Sequence, residues 1–261
     1  MNLDNIGTQL MFTTVHLWVE NNDGSKSTGT GFIYTVNSKS QGATIPFLVT
    51  NFHVIKNAKI ALVEFIEAKD GKPDKEQKVR VEISGHQLRQ FVDTTNDLAI
   101  YPIAPILNQF SNAGKSIFYR TIEPTMIPAP TVINELGAIE DVTFIGYPSG
   151  IYDFKNSSPL VRKGITSSPI WNDFNGSRCF LIDAGVFPGS SGSPVFIYNQ
   201  GSYASQNGIV VGTRLLFIGI ITETMLRSDG SSSDVYLGLG KVVKSQQLQS
   251  FIESLLPNID K

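Results

Sequence analysis

An all-β fold is what this sequence predicts, and three observations lead there. Short runs rich in Val, Ile, Phe and Tyr recur along the 261 residues, each bounded by turn formers. The 23 glycines and 13 prolines break the chain often enough to keep those runs short. Apolar residues at helical spacing are confined to the C-terminal stretch. The length suits one large domain or two small ones with an ample core. With 41% hydrophobic and 17% charged residues, the chain is globular rather than disordered.

The predicted strands follow in order: TTVHLWVE (13–20), TGFIYTV (30–36), FLVTN (47–51), KIALVEFI (59–66), VRVEI (79–83), LAIYPI (98–103), DVTFIGY (141–147), LVRKGITSS (160–168), CFLID (179–183), PVFIY (194–198) and LLFIGIIT (215–222). Strands of this length and spacing suit a sandwich or barrel. The Pro-rich text between Ile103 and Asp141 reads as an irregular connector between two β units. EAKDGKPDKEQK (67–78) reads as a solvated hairpin tip, NQGSYASQNGIVVG (199–212) as a long polar hairpin near a cleft, and DGSSSD (229–234) as a flexible loop. Near the end, Val243, Leu248, Phe251, Ile252 and Leu255 keep helical spacing, and Pro257 stops the pattern. The predicted layout is 1–120 and 121–240 as two β units and 241–261 as a helix.

Composition excludes several function classes. The formal net charge of −2, from 21 basic and 23 acidic residues, provides no field for nucleic acid or an acidic membrane. The one cysteine, Cys179, rules out an internal disulfide framework, and its apolar flanks read as a buried side chain. The N-terminus lacks a basic segment followed by an apolar core, and no apolar run reaches the roughly 18 residues of a membrane span. The cytoplasm is the predicted location.

One stretch asks for chemistry. FPGSSGSPVF (187–196) crowds Ser190, Ser191 and Ser193 among glycines and prolines ahead of an apolar run. Such text is turn chemistry in most chains. A serine hydroxyl becomes a nucleophile when a base takes its proton, and the oxyanion then formed needs preorganised N–H donors. Among three histidines, His53 follows a strand inside a Thr-Asn turn, whereas His16 and His86 have no distinctive neighbourhood. Asp97 enters an apolar strand, which suits an acid that orients an imidazole; Asp93 competes with it. Ser191, flanked as Gly-x-Ser-Gly, is the candidate nucleophile, with the N–H groups of Gly189 and Ser191 as oxyanion donors and Gly192 leaving room for substrate. Each residue alone also has an ordinary structural reading.

TNFHV, NDLAIY and GSSGSPV, in the order His, Asp, Ser, together resemble the chymotrypsin-fold (trypsin-like) serine peptidases. TGTGFIY (28–34), VTFIGYPSG (142–150), LIDAGVFPGSSGSP (181–194) and FIGIIT (217–222) extend the likeness over roughly residues 10 to 256. It is nearest to bacterial HtrA-type and glutamyl-endopeptidase-like members, without a PDZ domain. The resemblance implies two six-stranded antiparallel β-barrels with the site between them and a C-terminal helix. It also implies Ser191 as nucleophile, His53 as base, Asp97 as orienting acid, an acyl-enzyme intermediate, and no metal or organic cofactor. The implied partner is a protein or peptide substrate; composition gives no partner in nucleic acid or membrane, and a peptidase with no visible prosegment leaves room for control by a regulatory protein partner.

Departures from the family pattern carry information too. Ser190 stands where animal members place an Asp that pairs with a freshly cut N-terminus, so activation by that route is not expected. The missing cysteine pairs fit a reducing compartment. The resemblance puts the specificity pocket between Gly185, Val186 and Phe187 on one side and Ile220, Ile221 and Thr222 on the other. Those mostly apolar walls predict a small or medium apolar residue before the scissile bond. The competing reading is a catalytically weak or switchable domain serving as a binding or regulatory module. An α/β-fold esterase is disfavoured, because it would need Ser before Asp before His and helical crossovers.

Overall fold

The computed structural model describes residues 1–38, 42, 44–205, 208–227 and 235–259; the DGSSSD prediction lies outside them. β1 (Thr14–Asn21), β2 (Lys26–Asn37), β3 (Thr44–Asn51), β4 (Ala58–Lys69), β5 (Lys72–Ser84), β6 (Phe91–Asp93), β7 (Leu98–Pro102) and β8 (Ile117–Phe118) form one antiparallel sheet. Its order is β5-β4-β1-β2-β3-β7-β6, with β8 on β4. β9 (Asp141–Gly146), β10 (Leu160–Thr166), β11 (Cys179–Asp183) and β12 (Pro194–Asn199) belong to the second half. There β13 (Ser202–Ser205) and β14 (Gly208–Val211) make a separate ribbon, followed by β15 (Arg214–Arg227) and β16 (Val235–Lys244). The second half closes as β10-β11-β16-β15-β12-β9.

The helices are α1 (Ile6–Leu10), α2 (Phe52–Ile55), α3 (Gly85–Leu88), α4 (Ala104–Asn112), α5 (Pro130–Glu135) and α6 (Ser245–Ile259). No helix among the described residues is long and apolar enough to cross a membrane.

Side-chain alternation explains why the halves form one body. In β2, Ile33 faces the first core while Phe32 and Tyr34 face the other way. β3 repeats this with Leu48 against Phe47 and Val49, and β7 with Ala99 against Leu98 and Ile100. The outward set is not solvated. It meets Ile145, Phe196, Phe217 and Ile220 of the second half, and Leu248 and Ile252 of α6. The rings of Phe32 and Phe217 lie 5.5 Å apart, and those of Phe196 and Phe217 5.8 Å. Each fully buried Phe contributes roughly 1.5–3 kcal/mol. Strands covered on both faces read as continuous apolar text, as FLV and LAI do. A third core, including Phe144, Phe180, Val195 and Val242, fills the closed barrel of the second half.

The structure departs from the predicted fold in four places. The first half is a curled open sheet in its hydrogen bonding: among the described residues no ladder joins β5 to β6 or β7. α3 packs against β4, β5 and β7 at that opening. A Cβ on Gly85 would lie 1.8 Å from the Ala58 carbonyl, so only glycine allows this approach. Second, the region read as an irregular connector holds α4 and α5, each with proline in its first turn, where a missing N–H costs nothing. Third, residues 241–244, read as the start of the helix, belong to β16. This strand pairs with both β11 and β15, and so closes the barrel. Its β-branched Val242 and Val243 favour that pairing over helix. Fourth, α6 continues through Pro257, because the bond that proline forfeits would fall on the carbonyl of exposed Glu253.

Candidate active site

His53 and Asp97 are brought together by the ends of β3 and β7, which pair as far as Asn51 and Leu98. α2 begins there and carries His53. Asp97 adopts φ 55°, a left-handed conformation that Asp tolerates better than most residues. Its carbonyl accepts from the Phe52 amide and from Asn51 Nδ2, both at 3.0 Å. One carboxylate oxygen accepts from the His53 amide at 2.8 Å, and the other lies 2.6 Å from His53 Nδ1. A carboxylate accepts, so this contact suits the tautomer with the proton on Nδ1, which leaves Nε2 as the acceptor. Asp93, the competing acid, is spent on its own turn, accepting from the amides of Thr95 and Asn96 and from Asn96 Nδ2.

The turn that carries Ser191 is clamped from both halves. The Thr30 amide donates to the Ser191 carbonyl at 2.9 Å, the Gly192 amide to Ile221 at 2.9 Å, and the Ile221 amide to Ser193 at 3.0 Å. The three serines separate cleanly. Ser193 is buried, and so is Ser190, whose hydroxyl accepts from the Phe187 amide at 3.3 Å. Ser191 is half-buried and donates to the Thr222 carbonyl at 3.0 Å. Among the described residues no Ser191–His53 hydrogen bond is formed.

Gly189, at φ 87°, turns its carbonyl onto the Thr30 hydroxyl at 2.9 Å. The carbonyl of Pro188 is held by the Ser149 amide at 2.5 Å. The Gly189 and Ser191 amides have no internal partner among the described residues. Gly192 has a reason other than room for substrate: a Cβ there would meet the Thr30 carbonyl at 1.9 Å. Thr30 and Ser149 were not read as site residues. Both act from elsewhere in the chain, Thr30 on β2 and Ser149 in the turn after β9, and no local pattern marks them.

His53 and Asp97 open onto a cavity of about 390 Å³, bordered also by Thr222, Glu223 and Lys241. Lys241 pairs with Glu223 at 2.7 Å. Of the predicted specificity walls, Gly185 is half-buried and Phe187 partly exposed, whereas Val186, Ile220 and Ile221 are at most 1% exposed and pack into the barrel cores. Thr222 is buried too, its hydroxyl on the Lys241 carbonyl at 3.3 Å. The β13–β14 ribbon contributes no described residue to the His53 cavity; Arg214 stacks on its Tyr203 at 4.5 Å, and Ile209 and Val211 are exposed.

His16 is a packing residue, 2% exposed, with Nε2 2.5 Å from Thr28 Oγ1 and its ring stacked on Tyr147. Burial lowers its pKa to about 4. Burial also pushes the Cys179 thiol up, as befits an inert cysteine. Among the described residues no three His, Cys, Asp or Glu side chains are grouped to hold a metal.

Comparison with known proteins bears on this geometry. No curated protein matches the sequence. The solved structure of the HtrA-type protease AlgW with a tripeptide superposes with a TM-score of 0.54 at 19% identity, over 98% of this chain and 64% of that one. HL collagenase superposes with a TM-score of 0.52 at 15% identity, over 95% of this chain and 94% of that one. At such identities the likeness is one of fold, and the chain spans under two thirds of the AlgW chain. The family model of the trypsin-like peptidase domain matches residues 29–203, which include His53, Asp97 and Ser191. The chain therefore belongs to the trypsin-like peptidase domain family.

Proposed function

We propose that the chain is a serine endopeptidase acting on protein or peptide substrates. The observation that carries this reading is the two-point grip of Asp97 on His53, through Nδ1 and the amide, together with a Ser191 turn whose Gly189 and Ser191 amides have no partner among the described residues. In the proposed cycle, Ser191 Oγ leaves the Thr222 carbonyl by rotation about χ1 and gives its proton to His53 Nε2 as it attacks the scissile carbonyl. Asp97 holds the tautomer and stabilises the imidazolium. The Gly189 and Ser191 amides take up the oxyanion. His53 returns the proton to the leaving amine, and water attacks the acyl-enzyme by the same route reversed. The first half thus supplies base and acid, and the second the nucleophile and oxyanion donors.

The bond from Ser191 to Thr222 favours a second reading, a switchable domain in which a partner or substrate turns the hydroxyl toward His53. Labelling by a fluorophosphonate separates the two. Labelling lost in both Ser191→Ala and His53→Ala marks an active site at rest. A folded wild type that does not label moves the assignment to the switchable module.

A further inference from the structure

A cation stands beside the nucleophile turn that sequence reading did not find. β10 pairs with β11 only at Ile165 with Asp183 and Thr166 with Ile182. Beyond that point Arg162, half-buried on β10, reaches across to the segment leading to Ser191. Its Nη2 lies 2.5 Å from where a Cβ on Gly185 would stand, so the guanidinium occupies the space that a side chain at 185 would take. Its central carbon sits 5.1 Å from the centroid of the Phe187 ring. Phe187 in turn stacks on Tyr236 at 5.3 Å and an 8° interplanar angle. The Phe187 amide and carbonyl both bond Ser190, next to the nucleophile. The cation therefore lies one ring's width from the turn that carries Ser191.

Among the described residues no carboxylate pairs with Arg162. Glu223, which borders the His53 cavity, pairs with Lys241 at 2.7 Å. A guanidinium keeps its charge at any working pH, and a half-buried one without a counter-ion is costly. It presents donors in a fork that matches a carboxylate. With Val186, Ile220 and Ile221 turned into the cores, Arg162 and Phe187 are what the chain offers here to a substrate side chain.

We propose that Arg162 selects an acidic side chain, Glu or Asp, on the residue that supplies the scissile carbonyl. The carboxylate would take the open face of the guanidinium while the side-chain methylenes lie along Phe187. This inference rests on the endopeptidase reading and names its substrate class.

The test uses fluorogenic peptides that differ only at that residue, Glu against the isosteric Gln. The ratio of their kcat/KM values is taken within one preparation, so a change in overall rate cancels. The wild type is expected to favour Glu by about tenfold or more. Arg162→Gln should bring the ratio near one, and Arg162→Glu should carry it below one. A wild-type ratio near one overturns the assignment without any variant, as does a ratio that Arg162→Gln leaves unchanged. Fluorophosphonate labelling of the same preparations keeps the two readings apart. Labelling with an unmoved ratio removes only the role of Arg162, whereas an unlabelled folded wild type removes both.

Discussion

The two halves of the candidate site differ in how complete they are. On the first half, His53 and Asp97 are assembled: two contacts join them, and two more hold the Asp97 carbonyl. On the second half, the backbone of the turn that carries Ser191 is pinned, but the Ser191 hydroxyl rests on Thr222 rather than His53. The difference follows from what holds each part. The acid directly precedes β7 and the base follows β3 in the first turn of α2, so the ladder bonds between those two strands set their spacing. The serine hydroxyl hangs on one rotatable bond, and the nearest carbonyl captures it. In the proposed triad, a rigidly held base would thus face a nucleophile that has to turn.

The largest effect should come from the assembled side. Asp97→Asn keeps the shape but lets Nδ1 carry the wrong tautomer, and should lower kcat by about 10³–10⁴-fold. Steady-state kinetics checks this, with melting temperature as the control for folding. A loss under tenfold would show that the grip on His53 is structural only.

A smaller effect should come from the pinned turn. Thr30 reaches from the first half to the Gly189 carbonyl, and its hydroxyl also accepts from the Tyr147 amide at 3.1 Å. Thr30→Val leaves both buried groups unpaired, costing about 1–3 kcal/mol of stability. It should also slow fluorophosphonate labelling about tenfold, by loosening the oxyanion turn. Unchanged labelling in a destabilised variant would mean that the turn is held without Thr30.

The smallest effect concerns pH and stability rather than catalysis. Burial depresses the folded-state pKa of His16 from 6.5 to about 4. Between those values the unfolded chain binds the proton more readily than the folded one. The contribution of neutral His16 is thus full above about pH 6.5 and is lost as pH falls toward 4, at no more than about 1.4 kcal/mol per pH unit. Urea midpoints measured from pH 7 to 4 should fall less steeply in His16→Phe than in the wild type. Parallel slopes would show that His16 titrates alike in both states.

Much of this molecule was legible in the text of the chain. Predicted strands such as 47–51 and 179–183 lie within or match observed ones, because β-branched and aromatic runs bounded by breakers have few other solutions. His53 and Asp97 were legible as a pair because each adjoins a short apolar strand, FLV or LAI, and both fall in motifs that carry the family resemblance. Residues 241–244 were misread because a short apolar stretch joined to a helix extends the helical pattern, and only the partners β11 and β15 decide for strand. The hairpin read at 199–212 is observed as the β13–β14 ribbon, whereas the helices at 104–112 and 130–135 carried too little periodicity to be read.

By itself the sequence determined the all-β class, the family resemblance and the order of His53, Asp97 and Ser191, since these depend on local pattern and on spacing along the chain. Only the tertiary structure decided that the first sheet stays open, that Val186, Ile220 and Ile221 face inward, that Ser191 rests on Thr222, and that Arg162 stands beside Gly185. The reason is physical. Alternation along a strand tells that two faces differ, but which face meets a core and which a cleft is set by strands distant in sequence. A cation on one strand and a glycine on another become neighbours only through the way the barrel closes.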